Sequence, residues 1–295
     1  MKVSASAWKH LRIPFSLFLS PIYFFALAWC YAVIPEYVVG WQAILVFIVL
    51  HLFLYPASNG YNSYFDKDES SIGGLRNPPP VDKSLYRISL LFDAIAVLLS
   101  LFDIFFAFLV ILYGIVSKAY SHPWTRWKRY PVASWVIVSI FQGGFTFFMV
   151  MIGISAYDWF TLDQFWLPCL ASTLLLAGSY PMTQIYQHDE DRRRGDHTIS
   201  LRMGVQGTFG LSILVLLLTV ATFFQLFAQM GRPSLFILLQ LVLAPVLFFF
   251  GWWFLKVRSD QKQASYQNTM RLNIISSTLL ITYMILWIAI EKGLF

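Results

Sequence analysis

Charge is what this 295-residue chain has least of: only 12% of its residues are Asp, Glu, Lys or Arg. An average soluble domain carries about 25%. A surface this poor in charge cannot face water on every side, which excludes an ordinary soluble globule. Cysteine is nearly missing as well. Cys30 and Cys169 are the two present, each inside an apolar stretch and without metal-ligand spacing. That excludes a disulfide scaffold or a thiolate metal centre and leaves packing as their role. No low-complexity tail, soluble domain or convincing internal repeat interrupts the chain. No cleavable leader is visible either, because the first apolar run is too long and lacks a small-residue cleavage site.

What is abundant is apolar: 58% of residues are hydrophobic and 18% aromatic. Runs long enough to cross a ~30 Å hydrocarbon core recur along the chain. Nine are expected, at 13–34, 38–57, 85–101, 104–119, 133–155, 164–186, 208–230, 234–255 and 271–290. The weakest division lies between the third and fourth, where only Asp103 marks a turn. Basic residues settle it, because they stay on the side from which a helix is inserted. With the N-terminus in the cytosol, nineteen of the 21 basic residues fall inside and only Arg232 and Lys292 fall outside. Merging spans three and four would destroy that pattern. The fold class expected is therefore an all-α membrane protein, one domain over 1–295, with nine transmembrane helices and a cytosolic N-terminus. The net charge of +6 is this orientation signal plus attraction to anionic lipid headgroups; no nucleic acid is needed to explain it.

Two cytosolic loops are rich in acids and amides. "NGYNSYFDKDESSIGG" (Asn59 to Gly74) follows the second span, and "YPMTQIYQHDEDRRRGDHTISLRMG" (Tyr180 to Gly204) follows the sixth. Both follow even-numbered spans, so both lie on one face of the membrane and can meet across a cavity. On a helix at about 100° per residue, Asn62, Asp66 and Glu69 fall within one polar stripe joined by Asn59, while Asp68 faces away. In the second loop Gln187 and Asp191 are four residues apart, flanked by Gln184 and His188. Such hard oxygen ligands suit Mg2+, which is held by one or two carboxylates plus substrate phosphates. Two facing stripes could clamp a diphosphate. Isolated acids at helix ends are often merely solvated, but here two clusters share one side and interleave with amides. The basic loop between them, "SKAYSHPWTRWKRYP" (Ser117 to Pro131), supplies Lys128 and Arg129, and the second acidic loop supplies Arg193 and Arg194, as candidates to neutralise a departing diphosphate.

At this point the chain resembles the UbiA superfamily of intramembrane prenyltransferases. The likeness rests on Asn62-x-x-x-Asp66 near the end of the second span and on Asp191-x-x-x-Gly195-x-x-Thr198 after the sixth. A Tyr120-Ser121…Lys128-Arg129 loop and an N-terminal "LRIPFSLFLSPIYFF" complete it. The resemblance implies a helical bundle around a central cavity open sideways to lipid. It also implies Mg2+-dependent ionisation of an isoprenyl diphosphate and prenyl transfer to a hydrophobic or amphipathic acceptor. Carried over residue by residue, Asp66, Asp191 and Lys128 are the expected catalytic groups. Asn62, Asp66, Asp68, Glu69, Gln187 and Asp191 are the expected metal ligands. Asn59, Arg12, Tyr120, Arg129, Arg193 and Arg194 are the expected substrate contacts. The expected setting is a bacterial cell membrane, with membrane lipid around the bundle and the site facing the cytosol.

Two positions depart from the family pattern. Where its first motif continues to a third acid the chain has Ser70; Asp68 and Glu69 precede it, and the helical stripe favours Glu69. Where its second motif opens with an aspartate the chain has Gln187, so His188 or Asp189 are alternative contributors. Asp93, some way inside the third span, reads either as functional or as a carboxylate satisfied by a neighbouring helix. His51 and Gln142 read as core polar groups, and "RNPPPVDK" (Arg76 to Lys83) as a rigid loop capping the site. A terpene cyclase of the same superfamily would share every motif. A transporter is the reading from another class, disfavoured because the acids gather on one side instead of forming a path across.

Overall fold

The computed structural model describes residues 3–157 and 165–294. Lys2 and the first residue of the predicted sixth span lie outside the described residues. Within them the chain is helical, with no strand and only two isolated bridges, Val38 with Ser155 and Ile72 with Leu75. In chain order the helices are α1 (Ala5–Val33), α2 (Gly40–Asp66), α3 (Lys83–Ser100), α4 (Ile104–Ser121) and α5 (Pro131–Ile154), then α6 (Trp166–Ser179) and the short α7 (His188–Arg194). The chain closes with α8 (Ile199–Gln229), α9 (Pro233–Ser259) and α10 (Tyr266–Glu291).

Seven of these, α1, α2, α4, α5, α8, α9 and α10, are long and apolar enough to cross a membrane. The other two predicted spans are also helices in place but fall short of that standard. α3 carries Lys83, Arg87 and Asp93, and α6 has 14 residues. The doubtful division after the third span is real: Asp103 is the N-cap of α4, its carboxylate accepting from the Phe106 amide at 2.7 Å. Such a cap satisfies an otherwise orphaned amide and fixes where a helix starts. Asp82 does the same for α3 and Thr198 for α8.

Four of the long helices are interrupted, α8 by a kink at Gly204, whose φ of 69° is left-handed. α1 breaks at Arg12, whose φ of 49° is left-handed, so the N-terminal segment bends toward the loop after α2, where His10 and Ser6 meet the Pro79 and Pro80 carbonyls. π-helical turns lie in α2 at Val49–Leu54 and in α5 at Ile140–Phe145. The second sits where two helices nearly touch: a Cβ on Gly143 would stand 2.6 Å from the Ser172 carbonyl of α6. The membrane-side core is aromatic. Phe25 of α1 packs against Phe147, Phe223 and Trp287 from three other helices. The outward faces are apolar too, with Phe248 78% and Ile104 75% exposed, as a lipid-facing surface requires.

Asp93 is paired. Lys118 of α4 lies 2.5 Å from its carboxylate and its ammonium sits over the Tyr61 ring at 5.5 Å. Lys118 was expected in a cytosolic loop; it belongs to the last turn of α4 and points back into the bundle.

Candidate functional site

A cavity of about 700 Å³ opens at the end of the bundle where the two acidic segments meet. Its polar end is built by three loops. The tail of α2 presents Asn59, Asn62 and Asp66 as one helical face, as their spacing predicts. The α6–α8 connection brings Gln187, Asp191 and Arg194, and the α4–α5 loop brings Lys128. Beyond them the walls turn apolar. On α8 the lining runs from Ile213 to Phe223, about three turns at 3.6 residues each.

The expected stripe on α2 stops sooner than the sequence suggests. The helix ends at Asp66, and Lys67, in a left-handed conformation with φ 51°, caps it through a bond to the Ser63 carbonyl. Residues past that point leave the helical register, and the two expectations for them reverse. Asp68 lines the cavity, whereas Glu69 is exposed and does not. The choice of Glu69 over Asp68 is corrected for that reason.

Each buried or cavity-lining carboxylate at this end is met by a cation or a donor. Lys128 contacts Asp66 and also lies 3.2 Å from Asp196. Arg126 grips Asp196 with both arms of its fork, at 3.0 and 2.9 Å, a pairing with directional strength beyond a point charge. Burial works against the Asp196 charge, but Lys128 and Arg126 outweigh it and hold that carboxyl below its ordinary range. Asp191 has less help. Burial pushes its carboxyl up to about 7, against the hydrogen bond from Thr198 Oγ1 at 3.1 Å. Arg194 pairs with Asp68 and, at 2.6 Å, with Glu190. Ser121 donates to Asn62 Oδ1.

Other expected contacts sort clearly. Arg12, though buried, lines the cavity and donates to the Gly73 carbonyl at 3.0 Å and to Asn59 Oδ1 at 3.2 Å. Tyr120 lines it too, its hydroxyl 2.5 Å from that of Tyr180. Arg129 does not reach it. Its guanidinium stacks on Tyr130, 4.9 Å from the ring centre, and faces a separate outer cleft with His197 and Arg202. Arg193 is exposed on the far side of α7. The alternatives to Gln187 also turn away: His188 is bonded to Ser200 Oγ at 2.7 Å, and Asp189 pairs in solvent with Arg192. Two of the three prolines of the expected cap are held instead at the start of α1, where the Pro79 and Pro80 carbonyls accept from His10 and Ser6. Ile72 and Gly73, just before them, form that rim of the cavity.

Arg126, Glu190, Asp196 and Tyr180 were not anticipated. Asp196 had a visible hint, lying between the Gly195 and Thr198 of a motif already singled out; Glu190 had none.

The donor set is chemically coherent for a hard divalent cation. Asn62, Asp66, Asp68, Gln187 and Asp191 offer oxygens to a single space. Among the described residues no three or more His, Cys, Asp or Glu side chains form a ready metal cage. An ion there has to be completed by water and by oxygens of a ligand, as Mg2+ sites commonly are.

Comparison with known proteins bears on the family and the fold. The model of the UbiA prenyltransferase family matches residues 22–275. Among solved structures, a UbiA homologue from Archaeoglobus fulgidus bound to GPP and Mg2+ superposes with a TM-score of 0.67 at 17% identity, covering 97% of this chain and 100% of that one. An apo UbiA homologue from Aeropyrum pernix K1 gives 0.67 at 19% identity over 90% and 96%. A digeranylgeranylglyceryl phosphate synthase gives 0.58 at 16% over 96% and 98%. No curated protein sequence matches the chain. At such identities the structural likeness speaks to fold, and the family match covers most of the length: the chain belongs to the UbiA prenyltransferase family.

Proposed function

We propose that the protein transfers an isoprenyl group from an isoprenyl diphosphate to a hydrophobic or amphipathic acceptor inside the membrane, with Mg2+ as the cofactor. The observation that carries this reading is one cavity with two unlike ends. The cytosolic end gathers two acidic segments and the cations Lys128, Arg12 and Arg194; the remainder is mostly apolar and runs along the middle of α8 from Ile213 to Phe223. A charged head with a long hydrocarbon tail fits such a space. The homologue structures bound to GPP or DMAPP and Mg2+ support the assignment at the level of chemistry, and the synthase named above supports a lipid-like acceptor.

Asn62, Asp66, Asp68, Gln187 and Asp191 would hold Mg2+ together with the diphosphate. Bound there, Mg2+ supplies positive charge that lowers the energy of the departing diphosphate. Lys128 and Arg194 now neutralise carboxylates and can turn to phosphate oxygens once those carboxylates have other partners. Heterolysis of the carbon–oxygen bond puts the electron pair on the diphosphate and leaves an allylic cation. The apolar walls keep water from it, and the rings of Tyr113, Tyr120 and Phe141 on the cavity surface offer faces that stabilise positive charge. The acceptor then forms the new carbon bond and sheds a proton.

In the membrane, we take α3 and α6 as spans alongside the seven apolar helices, giving nine with a cytosolic N-terminus in a bacterial cell membrane. The distribution of basic residues supports this, as does the Arg232–Glu291 ion pair, 2.9 Å, which joins the start of α9 to the end of α10 on the opposite side.

The test is incubation of purified protein and Mg2+ with labelled isoprenyl diphosphates of several lengths, with and without membrane extract, followed by product identification. Mg2+-dependent diphosphate release with an extract-dependent prenylated product is the expected result. Release of none of them, or full release in a chelator, overturns the assignment. A cyclised hydrocarbon formed without extract makes it a cyclase.

A further inference from the structure

Glu190 has the wrong position to bind metal and the wrong burial to be a surface acid. Its side chain turns away from Asp191, is 6% exposed and is absent from the cavity lining. Its carboxylate instead reaches the segment after α2. One oxygen accepts from the Glu69 amide at 3.0 Å. The other accepts from the Ser70 amide at 3.2 Å and from the Ser70 hydroxyl. The same carboxylate pairs with Arg194 at 2.6 Å, and Arg194 in turn holds Asp68 and donates to the Lys67 carbonyl at 2.9 Å. One buried side chain on α7 therefore satisfies backbone donors on a loop some 120 residues away in sequence. Local bonds hold only the ends of that loop, Lys67 to the Ser63 carbonyl and Ser71 Oγ to the Arg76 carbonyl; the helix has ended at Asp66, and residues 67–71 form no helix of their own.

We propose that Glu190 is a positioning residue, a clasp that fastens the first acidic segment to the second and so sets where Asp68 and Arg194 stand toward the diphosphate. The clasp has a specific chemistry. Only a carboxylate supplies two acceptor oxygens to the two amides and the hydroxyl while balancing a guanidinium. A buried carboxylate is costly unless paired and hydrogen-bonded, and here all its partners come from the two segments that must be aligned. Without it Arg194 loses one of its two anions, and the Glu69 and Ser70 amides lose their acceptor. Asp66 and Asp191, on regular helix on either side, keep their places. The inference rests on the proposed diphosphate chemistry for its kinetic consequence but not for its structural one.

Two measurements on Glu190→Gln, Glu190→Ala and the milder Ser70→Ala test it. The first is hydrogen exchange by the full-length protein in detergent. The Glu190 variants should lose protection at the segment around Glu69 and Ser70, with the long helices unchanged. The second is diphosphate release against Mg2+ and isoprenyl diphosphate. The half-saturating diphosphate concentration should rise about tenfold or more in Glu190→Gln, with a smaller fall in kcat and a smaller change of the same kind in Ser70→Ala. Combining Glu190→Gln with Ser70→Ala should add little, because both break one interaction. Unchanged exchange around Glu69 and Ser70, or kinetics equal to wild type, overturns the clasp. General loss of protection in every Glu190 variant, with Ser70→Ala silent in both assays, overturns it too, because Glu190 then serves the fold at large. If wild type releases no diphosphate at all, the functional assignment fails, and the exchange data still decide whether the clasp exists.

Discussion

Asp66 ends α2 and Asp191 lies within α7, and the proposed reaction asks both to hold the metal. Replacing either with Ala removes charge that helps stabilise the departing diphosphate, so diphosphate release should fall at least ~100-fold; turnover by the purified variants measures it. The two differ in how they are held. Lys128 sits on Asp66, whereas Asp191 has a raised pKa of about 7 because burial outweighs its hydrogen bond from Thr198. A raised carboxyl pKa means that the metal-free site binds a proton near neutrality. Mg2+ must displace that proton, so apparent Mg2+ affinity should weaken by up to about tenfold per pH unit below 7 and level off above it. Titrating Mg2+ at several pH values checks this, and affinity that is flat with pH contradicts it. Asp68→Asn should be more damaging than Glu69→Gln, since only Asp68 borders the cavity; paired assays of the two variants decide it. Gln187 lines the same space and donates to the Ser71 carbonyl at 3.3 Å. Gln187→Asp adds the missing charge and should reduce the Mg2+ needed for half-maximal release while transfer continues. Unchanged Mg2+ dependence together with impaired transfer would place Gln187 with the acceptor instead.

Among the elements, much could be read from sequence because the bilayer simplifies the pattern: each predicted span contains a helix, the sixth only as far as Ser179, and Asp103 caps one where a division was needed. The Asn59, Asn62 and Asp66 face was legible because α2 is regular from Tyr55 to Asp66. What followed was not, because Lys67 takes a left-handed conformation that usually falls to Gly or Asn; periodicity carried through it assigned Asp68 and Glu69 to opposite faces from those they occupy. Arg129 and Arg193 failed for a related reason. Charge identifies a loop as basic but not which neighbour in it points inward, and here Lys128 and Arg194 do. The π-helical turns were equally silent in sequence. The one in α5 has a packing reason, since it sets Gly143 against the α6 backbone. Gly143→Ala should force those helices apart and cost about 1–3 kcal/mol, read as a lower melting temperature of the detergent-solubilised protein.

At the scale of the whole molecule, polar residues concentrate at one end of a bundle whose flanks are apolar, and Asp93 and Lys118 form an ion pair between two of its helices. α3 carries the acid and α4 the base, joined by a turn of three residues that ends at Asp103. An unpaired acid or ammonium in hydrocarbon costs about 2.5–3.5 kcal/mol on insertion scales, whereas the two in contact are largely neutral. The pair therefore bears on biogenesis: α3 and α4 are best suited to leave the insertion machinery together, as a preformed hairpin, because neither is comfortable in lipid until the other arrives. Lys118→Met should strand Asp93 and reduce the amount of protein reaching the membrane. Adding Asp93→Leu should bring it back, since a helix with no acid has no need to wait for its neighbour.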